Sequence, residues 1–401
     1  MKIWNKFAIS GAVLLAAAGL AACSKSSNSS SSSNGAKLTL WVDPEQVSQY
    51  KAIAKDFEKS HKGISVRVTQ SPNGSANAKT DVGKDPSKAA DVFEVPNDQL
   101  GQMAEAGYIN PLSPDATKTI KDENSDVSAQ GVSWKGKLYA FPYTVQAQTL
   151  YYNKSKFSAD DVKDWDVMTK KGVVATDFTN SYVMWPVMFS AGTKLFGDNG
   201  EQLKGSTFAS QAGINGLKWY AAQRSNKGVL QTSNALNQLK KGNAGAILDG
   251  PWNAASIKKI LGKNFAVAKY PTITIAGKKV QMQAFLGIKG FAVNANTKNA
   301  KAAMSLAQYI TNTKSQLIAH KNIGDIPVSK AAMKNSQVTS DPVAESVIEM
   351  SHNSVIMPKL PQMAAFWNGA APLVSGVYDG KIKPSEYKAQ LVKLQKATEK
   401  K

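Results

Sequence analysis

Between Lys37 and Val68 the apolar residues change period twice, and this limits what the chain can build. Lys37 to Asp43 alternates: Leu38, Leu40 and Val42 fall on one side, Thr39 and Trp41 on the other, which is the period of a strand. From Gln46 to Lys59, Val47, Tyr50, Ile53, Ala54 and Phe57 share one helical face. Ile64 to Val68 then alternates again. Strand, helix and strand in so short a stretch predict a parallel βαβ unit, because parallel strands need a crossover connection. Asp91 to Val95 reads as a further strand, and Asn97 or Asp98 is placed to cap the helix that runs on to Gly107. Trp134 to Leu138 reads as a hairpin turn entering Tyr139 to Pro142.

A second α/β region is expected from about Gln146 to Phe285. Its clearest unit is a helix carrying Leu236 and Leu239, stopped at Gly242 and followed by a buried strand, Ala244 to Leu248. Gly250-Pro251-Trp252 then breaks out of that strand into a helix, Asn253 to Leu261. Leu286 to Val293 is strand-like, Ala302 to Ile310 is helical, and the part from Ala331 onward is mostly helical in pattern. No repeat with a fixed short period is present. Two α/β regions of similar size joined by several chain passes predict two lobes around a cleft. Ligands settle in such crevices and at the carboxyl ends of parallel strands. Trp41, Asp43 and Glu45 close the first strand, Asp98 follows another and Trp252 a third, so these positions are expected to line the cleft.

Cys23 is the only cysteine of the 401 residues. Lys2 and Lys6 precede an apolar run from Phe7, and small residues lie just before the cysteine, so 1–22 reads as a secretory signal. That run is shorter than the roughly 20 apolar residues that span a bilayer, and Ser10, Gly11 and Gly19 dilute it. Leu20-Ala21-Ala22-Cys23 resembles a bacterial lipobox, in which a signal peptidase cuts before the cysteine and the new terminus carries lipid. A plain signal peptide with a chance cysteine is the alternative. Ser24 to Gly35 is nearly all Ser, Asn and Lys, and buries too little apolar surface to fold, so 23–36 is expected to be a lipidated tether. With its one thiol so used, the chain has no disulfide and no cysteine-based metal site.

The formal charge of +20 raises nucleic acid as a partner. Only Arg67 and Arg224 are arginines, however, and bidentate phosphate and base recognition favours arginine. A solvated lysine surface is expected instead, near an anionic envelope or for solubility, and no nucleic-acid partner. His61, His320 and His352 lack ligand spacing, and nucleophile elbow, P-loop and dinucleotide fingerprints are all missing from the sequence. Neither metal nor cofactor is expected. A glycoside hydrolase needs two carboxylates that spacing cannot reveal, and Asp43, Glu45 and Asp98 leave that open, as they leave open plain surface or capping roles. Trp41, Trp185, Trp252 and Trp367 sit at or beside element ends. Aromatic faces there suit the apolar faces of sugar rings, while carboxylates and amides take hydroxyls; a core position is the competing reading for each.

Several segments resemble one family. Ile356 to Trp367, with Met357-Pro358 and Pro361-Gln362-Met363 before Phe366-Trp367, is similar to the sugar-stacking segment of maltose/maltodextrin-binding proteins, which are extracellular solute-binding proteins of ABC importers. Asp249-Gly250-Pro251-Trp252, Leu40 to Asp43, Tyr139 to Tyr143 with Leu150 to Lys154, and Tyr182 with Trp185-Pro186 resemble further segments in the same order. The resemblance implies an α/β, two-lobe periplasmic-binding-protein-like fold with a hinge and an interlobe cleft. It implies lobes over 37–145 plus 286–328 and 146–285 plus 329–401. It also implies that Asp43, Glu45 and Asp98 take sugar hydroxyls, that Tyr182, Trp252 and Trp367 stack on or touch rings, and that Trp185 and Met357 support or line the floor. Gln146 and Asn180 stand where the best-known members carry glutamates, and Val95 replaces an aromatic residue. An amide keeps an acceptor and loses the charge, which roughly halves the hydrogen bond's strength. The implied protein is a non-enzymatic monomer that binds maltodextrin or another neutral oligosaccharide. It would be lipid-anchored on the outer face of a membrane, expected to be Gram-positive, and would pass its ligand to the permease's transmembrane subunits.

Overall fold

The computed structural model describes residues 35–400, so Cys23 and the signal and tether readings before residue 35 lie outside the described residues. The opening unit forms as the periodicity predicts. Strand Lys37–Val42 turns Leu38, Leu40 and Val42 into the core, and helix Val47–Ser60 adds Tyr50, Ile53, Ala54 and Phe57. Strand Ser65–Gln70 then pairs in parallel with the first, from Lys37 opposite Ser65 to Val42 opposite Gln70. Burial of each large apolar side chain stabilises the fold by about 1.5–3 kcal/mol, far more than helix propensity supplies.

Two sheets organise the rest. The first runs in the order Val355–Ile356, Phe285–Val293, Val92–Pro96, Lys37–Val42, Ser65–Gln70, with Ala140–Ala147 also paired to Phe285–Val293. The second runs Phe265–Ala268, Thr149–Asn153, Ala246–Asp249, Val174–Thr176, Val229–Gln231. These are the two lobes of the fold, and both lie within one compact unit. Between strand Ala140–Ala147 of the first sheet and strand Thr149–Asn153 of the second stands the single residue Gln148. It is buried, and its Oε1 accepts from the Tyr270 hydroxyl at 3.1 Å.

The sheets depart from the expected lobe boundaries at three points. Gln146 and Ala147 still pair with the first sheet, because the ladder to Phe285–Val293 extends as far as Leu286 opposite Ala147. Phe285 belongs to that same strand. Val355–Ile356, expected with the second lobe, adds in parallel to Phe285 and Leu286. The C-terminal helices Met363–Tyr378 and Tyr387–Thr398 pack with helix Gln211–Gln223.

The helix expected after strand Val92–Pro96 spans Asn97–Glu105, with Pro96 at the cap position, so neither Asn97 nor Asp98 serves as the cap. Asn97 is within the first turn, and its amide ties two chain passes together: Nδ2 donates to the Met357 carbonyl at 2.7 Å and Oδ1 accepts from Ile288 N–H at 3.1 Å. One turn on, Gly101 lets the 357–361 segment lie against this helix. A Cβ there would stand 2.4 Å from the Lys359 carbonyl oxygen, which is backbone and cannot swing away. Gly101→Ala is therefore expected to destabilise the protein by about 1–3 kcal/mol, the usual cost of overpacking. A melting temperature equal to the wild type's contradicts this close approach.

Candidate functional site: a cleft between the two sheets

A cavity of about 680 Å³ opens between the lobes. One wall comes from the carboxyl end of strand Lys37–Val42, which delivers Asp43, Glu45 and Gln46, from Ser75 and from Asp98 at the start of its helix. The opposite wall carries Tyr182 and Trp252. Thr144, Gln146, Ile288, Lys289, the 323–326 segment, Met357 and Trp367 also line it.

The first wall is held by a buried ionic cluster. Lys289 Nζ lies 2.9 Å from Asp43 Oδ2 and 2.7 Å from Glu94 Oε1. Glu94 is fully buried and also accepts from the Tyr143 hydroxyl, which in turn accepts from Gln46 Nε2 at 3.0 Å. Asp43 accepts from the Ser75 N–H at 2.6 Å and its hydroxyl at 2.7 Å, so the side chain is clamped on three sides. Burial works to raise the Asp43 carboxyl, but the Lys289 charge and the Ser75 hydrogen bonds outweigh it and hold it below its ordinary value. For Lys289 burial acts downward, and the two carboxylates more than reverse it, so the ammonium stays charged. Asp98 differs: burial pushes it up to about 6, and its Oδ1 finds no hydrogen-bond partner among the described residues.

The second wall is a run of rings. Trp252 and Tyr182 are 6.2 Å apart between centroids, Tyr182 stacks on Phe285 at 5.8 Å, and Phe285 meets Trp367 edge-on at 5.3 Å. The Trp252 ring folds back over Gly250, where a Cβ would stand 2.1 Å from it. Trp252 is 49 % exposed, which is unusual for so large an apolar side chain. Asn253 Nδ2 donates to both oxygens of Asp249 at 3.1 Å and fixes the turn that presents the ring.

Of the residues singled out in the sequence, Asp43, Glu45, Asp98, Gln146, Tyr182, Trp252, Met357 and Trp367 meet in this cavity. Trp41, Asn180 and Trp185 do not line it. Trp41 stays within its strand, half-buried against the first-lobe core. Asn180 is exposed, and its Oδ1 accepts from Tyr182 N–H at 3.0 Å, so it caps helix Ser181–Met184 and holds Tyr182 from behind. Trp185 is fully buried, edge-on to Phe208 and to Phe366, and so packs beneath the Phe366-Trp367 pair. Sequence reasoning passes over Lys289, Asp325, Gln46, Ser75 and Thr144 in the lining, and over Phe285, which is buried behind Tyr182 and Trp367 without lining the cavity. For Lys289 a signal exists: it is a lone charge in an apolar strand, as Glu94 is in its own.

His320 is buried between backbone carbonyls, with Nδ1 3.0 Å from Asp325 O and Nε2 3.1 Å from Gln337 O, and His61 stacks on Phe57. Among the described residues no group of three or more His, Cys, Asp or Glu could hold a metal ion, and no helix is long and apolar enough to cross a membrane.

Two lobes, a cleft at strand ends, a clamped carboxylate wall and a facing aromatic run define a two-lobe solute-binding protein. The chain belongs to the bacterial extracellular solute-binding proteins, whose family model matches residues 52–345. It is 61 % identical to the maltodextrin-binding protein MalE1 from L. casei BL23, solved without ligand, over 92 % of this chain and 100 % of that one, with a TM-score of 0.90. It is 28 % identical to a maltooligosaccharide ABC transporter solute-binding lipoprotein of Streptococcus pneumoniae (strain ATCC BAA-255 / R6), covering 95 % of each chain. It is equally 28 % identical to a galactooligosaccharide-binding protein of Bacillus subtilis (strain 168), covering 96 % of this chain and 95 % of that one.

Lys289→Met is expected to cost about 3 kcal/mol at pH 7, because it leaves Glu94 buried without its counter-ion. The carboxyls of the variant become harder to ionise, so the loss shrinks towards pH 4, where both are protonated more easily. Denaturant titrations at the two pH values check this, and an equal loss at both contradicts the ionic account.

Proposed function

We propose that this protein captures malto-oligosaccharides in the interlobe cleft and delivers them to the transmembrane subunits of an ABC importer. The observation that carries the reading is the half-exposed Trp252 at the head of the run Trp252–Tyr182–Phe285–Trp367, facing Asp43, Glu45 and Asp98. A sugar ring offers an apolar C–H face and a polar rim, and the two walls offer a matching surface for each. Asp43 accepts hydrogen bonds from sugar hydroxyls at a fixed position, since Ser75 and Lys289 already hold it. Gln146 and Thr144 reach the ligand from the strand that leads to Gln148.

Ligand contacts to both walls stabilise the closed arrangement over the open one, and differential affinity for the two states is what shifts the population. The hinge in this reading lies at Gln148 and where 323–329 and Phe285 pass between lobes. No bond is made or broken, and no cofactor takes part; the protein acts as a monomeric binder rather than an enzyme. Before the described residues, Cys23 carries the lipid that tethers the domain outside the cell, in a Gram-positive envelope, and the tether raises its local concentration near the permease.

A second reading, capture of another neutral oligosaccharide, is favoured by Gln146 in the lining, which has no charge, and by the likeness to the galactooligosaccharide-binding protein.

Tryptophan fluorescence of the domain from Lys37 onward, titrated with maltose, maltotriose and longer maltodextrins beside galacto-oligosaccharides, sucrose and raffinose, separates the two. Saturation by the malto-series alone is expected; saturation by another series only transfers the assignment to it. Trp252→Ala and Trp367→Ala should each weaken binding at least tenfold, about 1.4 kcal/mol, and unchanged affinity in a folded variant removes that ring from the site. Cys23→Ala should move the protein from the membrane fraction to the medium, and retention at the membrane argues against the lipid anchor.

A further inference from the structure

Asp325 belongs to the cleft and, like Asp98, carries a buried oxygen without a donor among the described residues; unlike Asp98, it is also opposed by neighbouring carboxylates. It lines the cavity from the 323–326 segment, just after the left-handed Gly324 that ends helix Thr313–Ile323. The backbone that carries it is fixed: the Asp325 carbonyl is held by His320 Nδ1 at 3.0 Å, and the Ile326 carbonyl accepts from Thr144 Oγ1 at 3.0 Å and from Val145 N–H at 3.0 Å. The side chain is partly open to the cavity, but Oδ2 is buried and finds no donor among the described residues.

The charges that face it explain why this is tolerable only for an uncharged acid. From the first wall come Asp43 and Glu45, from strand Val92–Pro96 comes Glu94, and from strand Phe285–Val293 comes Lys289. The phenols of Tyr50 and Tyr143 feel the same carboxyl. Lys289 is already committed to Asp43 and Glu94. Three carboxylates therefore oppose a further negative charge, and a buried oxygen without a donor cannot pay for one by hydrogen bonding. Burial first, and then Glu94, raise the Asp325 carboxyl to about 7 against the pull of Lys289.

We infer that Asp325 meets the ligand as a neutral carboxylic acid, whose open oxygen, Oδ1, donates as a hydroxyl to a sugar oxygen and sets an upper pH limit to tight binding. A carboxylate can only accept. A neutral acid can carry its O–H on the open Oδ1, facing a sugar oxygen, while the buried Oδ2 stays an uncharged carbonyl. Rising pH replaces the donor with a lone-pair site and a charge, so affinity falls. The sugar contact rests on the function proposed above; the neutral state of Asp325 does not.

Two measurements test it. In the ligand-free protein, melting temperatures of wild type and Asp325→Asn are compared from pH 4 to pH 8. A carboxyl whose folded value is raised is neutral in both states at low pH, and penalises the fold progressively as pH rises from its unfolded value towards about 7. The variant should therefore gain on the wild type across that window, and a constant gap overturns the neutral acid. In calorimetric titration with maltotriose, Asp325→Asn should bind within threefold of wild type at pH 6, since an amide also donates and accepts, while Asp325→Ala should bind at least tenfold more weakly. Wild-type affinity should fall at least threefold between pH 6 and pH 8.5, and that of Asp325→Asn should not. Asp325→Ala binding as tightly as wild type overturns the contact alone. Affinity that rises with pH overturns the neutral form in the bound state. A wild-type protein silent to every malto-oligosaccharide, with the melting difference intact, overturns the function reading and the sugar contact while upholding the acid's state.

Discussion

The ion cluster of Lys289, Glu94 and Asp43 is the constraint on which the cleft depends. It joins three strands of the first sheet at their functional ends: Glu94 from one, Asp43 from the end of the next and Lys289 from the long strand Phe285–Val293. Such a cluster is not a cheap source of stability, because the desolvation of buried charges offsets most of their attraction. What it supplies is position. Asp43 is held by an ammonium, a hydroxyl and a backbone N–H before any ligand arrives. Its lone pairs are aimed without the entropy cost of ordering a free side chain.

The facing wall is built on the opposite plan. Trp367 and Phe285 are packed, and Trp185 and Phe366 support them from below, while Trp252 at the other end stands half in water. One wall is thus polar, with Asp43 held by its neighbours, and the other is apolar and incompletely covered. A ligand with one polar and one apolar surface completes both.

Much of this is legible in the sequence where a periodic signal is long enough. The strand Lys37–Val42 and the helix after it follow from alternation and spacing, and Trp252 follows from a Gly-Pro break at a strand end. Val355–Ile356 escapes because two residues carry no period. Trp185 stands beside a helix-starting Pro186, where the pattern leaves a place in the lining and a place in the core equally open, and tertiary packing buries it completely. Asn180 illustrates the same limit: its type suits a ligand contact and a helix cap equally, and only the hydrogen bond to Tyr182 decides for the cap. Lys289 and Glu94 are visible as lone charges in apolar strands, but that they find each other across neighbouring strands is a matter of register, which single-chain pattern does not contain.

The passage through Gln148 has a mechanical consequence. A link of one residue has only its own pair of soft dihedrals between two hydrogen-bonded ladders, since peptide planes do not twist. Gln148 is also buried and bonded to Tyr270 of the second lobe. The two sheets can bend about such a joint, as a door turns on its pin, but they cannot slide past one another. Motion of that kind changes the width of the mouth while leaving the register of the two walls intact, so a sugar chain meets the same pairing of rings and acceptors each time the walls come together.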